Sequence, residues 1–213
     1  MRILLCRHGE TLWNAEGRYQ GRMDIPLSET GERQAAALGE RLKGLPIARA
    51  IASPLSRARR TAELALGSRA GMLTTDEGFL EISHGAWEGK LATEIAAEDG
   101  PRLRAWREAP ETVQMPGGES LQQVLDRAWP AFVSACAGLG PDEVLLIAAH
   151  DAVNRVLLAR VLGLPLARIW SFRQASATLN LLEGPDPTQL EVVRLNDAAH
   201  VAGLFGEALH QAI

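Results

Sequence analysis

The sequence predicts an α/β fold of three layers, α/β/α, with a mostly parallel central sheet flanked by helices and a small helical insert at about 88–115. Three observations carry this. Strand and helix signals alternate along the chain. Two continuous apolar runs, Ile3 to Cys6 and Val144 to Ala149, have the character of strands buried on both faces. With 213 residues, 46% of them hydrophobic, the chain has enough apolar surface for one domain, 1–213, with its own core.

Arg2 to Cys6 is the first expected strand. From Ser28, a residue type that caps helix N-termini, a helix runs through Ala35-Ala36-Ala37-Leu38 to about Lys43, where Gly44 stops it. Arg49 to Ala52 is a short second strand. Ser53-Pro54 predicts the next helix start, with Ser as cap and Pro at the first helical position; that helix ends near Gly67. Met72 to Thr75 is a third short strand.

The insert follows as two helices, Leu91 to Glu98 and Arg102 to Arg107, separated by Gly100-Pro101. After the loop Met115-Pro116-Gly117-Gly118, Ser120 and Gln123 form a capping-box pattern and open a helix to about Ala137, which Pro130 is expected to kink. Val144 to Ala149 is a strand and Asp151 to Leu162 a helix. Ala177 to Glu183 and Leu190 to Leu195 are two further strands joined by the turn Gly184-Pro185-Asp186-Pro187. A short amphipathic helix is expected near Leu204 to Ala212.

The net charge of −4 lacks the basic footprint of a nucleic-acid binder. The longest apolar runs are far short of a membrane span, and the first one stops at Arg7, so neither a signal segment nor membrane association is expected. Cys6 falls in a strand and Cys136 in a helix, which predicts buried free thiols rather than a disulfide and makes a cytoplasmic location the default.

Each apolar run ends in a histidine: His8, within Arg7-His8-Gly9, and His150. In open α/β sheets ligands bind beyond the carboxyl ends of the strands. The same edge receives the helix start after Ser53-Pro54, with Arg57 in its first turn, and Glu81 after the third strand. Helix N-termini and guanidinium groups favour an anion, so these side chains are expected to converge on one anionic ligand.

These residues lie in segments that resemble the signature of the histidine phosphatase superfamily, also called phosphoglycerate mutase-like. The resemblance rests on Arg7-His8-Gly9-Glu10-Thr11-Leu12-Trp13-Asn14, Gly17-Arg18-Tyr19-Gln20-Gly21, Leu27-Ser28-Glu29-Thr30-Gly31 and Ser53-Pro54-Leu55-Ser56-Arg57-Ala58. It continues through Leu80-Glu81, Gly117-Gly118-Glu119-Ser120 and His150, in the family's order across essentially the whole chain.

The resemblance implies a phosphohistidine mechanism. His8 is the expected nucleophile, and Arg7, Arg57 and His150 the cradle for the phosphoryl oxygens. Asn14 is expected to hydrogen-bond the same group, unless it only caps a turn; Gln20 and Gly21 are further candidate contacts. Glu81 is the expected acid, then base, and a bound phosphate dianion favours its protonated form. The nucleophile must be a neutral imidazole, which adjacent guanidinium groups favour. The scheme requires neither a metal nor another cofactor. Glu81-Ile82-Ser83-His84 has a metal-ligand spacing, but Gly78 and Gly85 argue against the helix it needs. Arg59 and Arg60 are expected to be solvated, and Trp87, Trp106, Trp129 and Trp170 to be packing residues.

The absence of an adjacent Arg pair in Arg102-Leu103-Arg104-Ala105-Trp106-Arg107 favours a phosphatase over the cofactor-dependent mutases. The segments Glu81 to Trp87, Trp170-Ser171-Phe172 and the C-terminal stretch from Leu195 are similar to metal-independent phosphoserine phosphatases of the superfamily. That similarity makes phosphoserine the expected substrate, makes His84 and His200 candidate carboxylate contacts, and suggests a homodimer. The alternatives are an α-ribazole phosphate or sugar-phosphate phosphatase, a phosphoglycerate mutase, or a catalytically silent phospho-ligand-binding protein. Asp151 departs from the Gly usual after the second His; it is either a helix-start residue or a group facing a substrate ammonium.

Overall fold

Six strands form a single mixed sheet of order β3-β2-β4-β1-β5-β6 in the computed structural model, which describes residues 1–201. The helix expected near Leu204 to Ala212 lies outside the described residues. The strands are β1 (Arg2–Arg7), β2 (Ile47–Ala52), β3 (Leu73–Thr75), β4 (Val144–Ala149), β5 (Leu179–Glu183) and β6 (Glu191–Asp197). The first four are mutually parallel; β5 pairs antiparallel with β1, and β6 pairs antiparallel with β5 at the edge, so the sheet is mixed with a parallel centre.

Helices cover both faces. On one side lie α2 (Glu29–Arg41) and α3 (Ser56–Leu66); α4 (Ala92–Glu108), α5 (Leu121–Cys136) and α6 (Asp151–Leu162) supply the other. The period of two in β1 and β4 sorts their side chains between these layers. Ile3, Leu5, Leu145 and Ile147 join Phe132, Val153 and Leu157, whereas Leu4, Cys6, Leu146 and Ala148 join Leu38, Ala62 and Leu66. Cys6 and Cys136 are free and buried, and burial pushes their thiols up to about 12 and about 11. No helix among the described residues is long and apolar enough to cross a membrane.

Several boundaries differ from expectation for identifiable reasons. The third helix starts at Ser56, with Leu55 at its cap, and not at Ser53-Pro54. Ser53 is held to the sheet instead, its N–H bonding the Ala148 carbonyl at 2.9 Å. A distant carboxylate does the capping: Asp24 accepts from the Ser56 N–H and hydroxyl at 2.8 and 2.7 Å. In the insert the helical path breaks at Asp99 (φ −142°, ψ 40°), just before Gly100-Pro101. The fifth helix runs through Pro130 from Leu121 to Cys136 as one element. A helix that the sequence reading did not contain, α1 (Leu12–Glu16), directly follows the Arg7-His8-Gly9 segment.

Candidate active site

Parallel register builds the site. Arg7 pairs with Ala149, so the next residue of each central strand, His8 and His150, leaves the sheet beside the other. Their rings meet edge to face with centroids 5.2 Å apart. Main-chain bonds fix the exit of His8: its N–H donates to Ala149 (3.0 Å) and its carbonyl accepts from Ala177 (3.0 Å).

The tautomer of His8 follows from its partner. Nδ1 lies 2.6 Å from the Gly9 carbonyl, which can only accept, so Nδ1 carries a proton and, in the neutral ring, Nε2 has the lone pair. Gly9 is required by space: a Cβ there would fall 2.5 Å from the Gly31 carbonyl oxygen, and one on Gly31 would fall 2.0 Å from that of Glu10. Thr61 ties this turn to α3, accepting from the Gly9 N–H (3.0 Å) and donating to the Arg57 carbonyl (2.7 Å).

Arg57 is fully buried, and the carbonyls of Met23 and Gly21 hold its Nη1 and Nη2 at 2.8 and 2.7 Å. Burial lowers its pKa to about 10, so it stays cationic at neutral pH. Arg7 is 2% exposed; its Nη1 donates to the Gln174 carbonyl and lies 3.5 Å from Asp151. Burial lowers its pKa, and the Asp151 and Glu81 carboxylates counter that. His150 is fully buried with neither ring nitrogen hydrogen-bonded to a described residue. Burial first, then Arg57, His8 and Arg7, hold it well below the usual imidazole range.

Glu81 is 8% exposed and its pKa is raised, chiefly by burial and next by Asp151, against the Ile82 N–H bond, Arg57 and Arg7. Its main chain is clamped from behind. The Glu81 carbonyl accepts from Arg127 Nη2 at 3.1 Å and Arg22 Nε at 3.4 Å, while Arg127 Nη1 holds the Gly78 carbonyl at 2.9 Å. Glu119 joins the two arginines, at 2.9 Å from Arg22 and 2.9 and 3.1 Å from Arg127, and also accepts from the Ser83 N–H. Sequence reasoning gave Arg22, Glu119 and Arg127 no role. The available signal was Glu119 in the Gly117-Gly118-Glu119-Ser120 segment, eight residues ahead of Arg127 on α5.

One cleft, with about 530 Å³ of empty space, is lined by His8, Arg7, Arg57, Glu81, Asn14, Gln20, Gly21, His84 and Asp151. Asn14 also caps: its carboxamide oxygen accepts from the Thr11 N–H at 3.0 Å, which leaves its NH2 group for the cleft. The Thr11 hydroxyl, 3.0 Å from that oxygen, is equally close to Gln20 Oε1. His84 reaches the cleft, but burial lowers it to about 4, so it offers a neutral ring. Trp106 and Trp170, expected only to pack, line the cleft as well, whereas Trp87 and Trp129 pack in the core.

One expected contact meets a different geometry. His200 is not among the cleft-lining residues; its Nε2 lies 2.8 Å from the Ala177 carbonyl, behind the turn that carries His8. Asp151 lines the cleft, with its carboxylate beside two guanidinium groups, Arg155 at 2.9 Å and Arg7 at 3.5 Å. Among the described residues no group of three or more His, Cys, Asp or Glu side chains is placed to hold a metal ion. A histidine with its Nδ1 bonded to a carbonyl, two buried guanidinium groups and a carboxyl of raised pKa at one sheet edge suit attack on an anionic phosphorus centre.

A family model described as "Histidine phosphatase superfamily (branch 1)" matches residues 3–198. The chain is 31% identical over 214 residues, covering 100% of both sequences, to phosphoserine phosphatase 1 of Hydrogenobacter thermophilus. It is 36% identical over 165 residues, 78% of this chain and 76% of the other, to the probable phosphoglycerate mutase GpmB of Erwinia tasmaniensis. The structure of a mycobacterial glucosyl-3-phosphoglycerate phosphatase complexed with VO3 superimposes with a TM-score of 0.83 at 29% identity, covering 92% of this chain and 98% of the other.

Proposed function

The chain belongs to the histidine phosphatase superfamily, and from that premise we propose that it is a metal-independent phosphomonoesterase acting through a phosphohistidine on His8. The observation that carries this is the cleft lined by His8, Arg7, Arg57 and Glu81, with His150 packed directly behind His8 at the same strand edge. His8 Nε2 attacks phosphorus and forms an N–P bond as the ester P–O bond breaks. Arg7, Arg57 and His150 hold the oxygens on which charge builds. Glu81 delivers its proton to the departing alkoxide, then takes one from the water that hydrolyses the phosphohistidine. The two buried guanidinium groups supply the positive charge that a metal supplies elsewhere.

The substrate class is a small phosphorylated metabolite, with phosphoserine first among the candidates. Its support is the full-length similarity to a phosphoserine phosphatase. His84 contributes to this reading as a neutral hydrogen-bonding group, not as a cation. The relatives named as probable phosphoglycerate mutases favour a second reading, transfer of the phosphoryl group back to the substrate in place of water.

The test is a panel of phosphoserine, sugar phosphates, nucleotides, α-ribazole phosphate and 3-phosphoglycerate, with and without chelator. Phosphate release that survives chelator, with an acid-labile phosphoenzyme on His8, is the expected result. Isomerisation of 3-phosphoglycerate without phosphate release selects the mutase. Binding of phosphorylated ligands with no turnover of any panel member overturns both.

A further inference from the structure

Asp151 opens α6 directly after His150, and two arginines hold its carboxylate from different sides. Oδ2 accepts from Arg155 Nε at 2.9 Å, and Oδ1 lies 3.5 Å from Arg7 Nη1. Arg155 has no freedom to swing away. It is 2% exposed, donates to the carbonyls of Ile169 (2.8 Å) and Phe172, and lies over the rings of Trp170 and Phe172 at 5.0 and 5.7 Å. The result is a buried relay, Arg155–Asp151–Arg7, that ends at the phosphate side of the cleft.

We propose that Asp151 is a positioning residue for phosphoryl transfer, holding the Arg7 guanidinium in place and setting a fixed negative charge in the cleft that Glu81 also lines. The inference rests on the roles given above to His8 and Glu81. A planar guanidinium binds phosphate well only in a narrow range of orientations, so a rigid anionic neighbour for Arg7 preserves the attack geometry.

The charge matters as much as the placement. Facing Glu81 are Arg7 from β1, Arg57 from α3 and Asp151 from α6, with Arg22, Arg127 and Glu119 at its main-chain side. His8, His84 and His150 are the further titratable groups of the site. The two guanidinium groups draw Glu81 toward its ionised form, which cannot protonate a leaving group. Asp151 opposes them and favours the acid that the first step needs.

A structural role is the competing account, because Asp151 also neutralises a buried Arg155. The two separate in the pH dependence of kcat/KM, measured with an unactivated alkyl phosphate whose alkoxide needs a proton. Phosphoserine is the probe, or glycerol 3-phosphate where phosphoserine is not turned over. Asp151→Asn keeps the shape and removes the charge. We expect kcat/KM to fall about tenfold or more and the basic limb to move to lower pH by about half a unit or more. Asp151→Glu keeps the wild-type limb. The substrate's own ionisation is common to all variants and cancels.

The double variant Asp151→Asn/Arg155→Met, which removes both buried charges, keeps the displaced limb even where its melting temperature recovers. An unmoved limb in Asp151→Asn, or a wild-type limb in the double variant, overturns the inference. Where Asp151→Asn does not fold, the double variant decides alone. A phosphoenzyme on His8 with an unmoved limb defeats only the role of Asp151. Absence of that phosphoenzyme defeats the underlying reading.

Discussion

The Gly9 carbonyl accepts the Nδ1 proton of His8 at 2.6 Å, which in the neutral ring leaves Nε2 for the attacking role proposed for it. The proposed nucleophile therefore has its tautomer set by its own next residue. His8→Ala should reduce turnover by about a thousandfold or more. His8→Gln, which keeps a polar side chain, should be no better. The measurement is initial rate of phosphate release together with loss of the acid-labile phosphoenzyme.

The Arg22–Glu119–Arg127 clamp grips the backbone at Glu81 and leaves the carboxyl free to act. Removing it should misplace the acid while sparing the phosphate cradle. Arg127→Leu is expected to lower kcat about 10- to 100-fold and to change KM by less than about threefold. Steady-state kinetics on an alkyl phosphate check this split.

Gly9 and Gly31 touch backbone to backbone, with a Cβ on Gly9 placed only 2.5 Å from a carbonyl oxygen. Gly9→Ala should destabilise the protein by about 1–3 kcal/mol or more, because backbone rather than a flexible side chain must yield. Denaturant midpoints at unchanged m-value are the readout. Activity should fall in parallel as the turn carrying His8 shifts.

Two groups of the cleft make stability depend on pH in opposite ways. Glu81 has a raised pKa, so its contribution is greatest below the unfolded value of about 4.3 and is lost as pH rises through the folded value. Glu81→Gln should therefore be stabilising relative to wild type at neutral pH, with the advantage vanishing below about pH 4, while activity is lost. His84 is lowered to about 4, so its contribution is full above about 6.5 and is lost as pH falls toward 4. His84→Asn should flatten the melting temperature across that window.

The parts of this molecule that could be read from the sequence are those set by local pattern. Val144 to Ala149 has no polar residue in it, so a strand buried on both faces was its natural reading, and His150 at its end followed. Ser28 and Ser120 announce their helices through side chains that cap the same segment. What escaped depends on partners distant in the chain. The start of α3 moved because Asp24, 32 residues away, caps Ser56. Nothing in the local sequence says that Arg127 reaches the Glu81 carbonyl, or that Arg155 is fixed by Ile169 and Phe172 beside Asp151. Trp106 and Trp170 appear as packing residues by composition alone, since only the fold brings the insert and the segment after α6 together at the cleft.

The neighbours of β1 have a consequence for the birth of the protein. Both strands that pair with it, β4 and β5, begin at Val144 or later, so its Ile3-Leu4-Leu5-Cys6 run leaves the ribosome long before a partner exists. Slow translation or a shortage of holdase chaperones should therefore endanger this chain in its earliest residues, and a truncated product ending before β4 should be prone to aggregation.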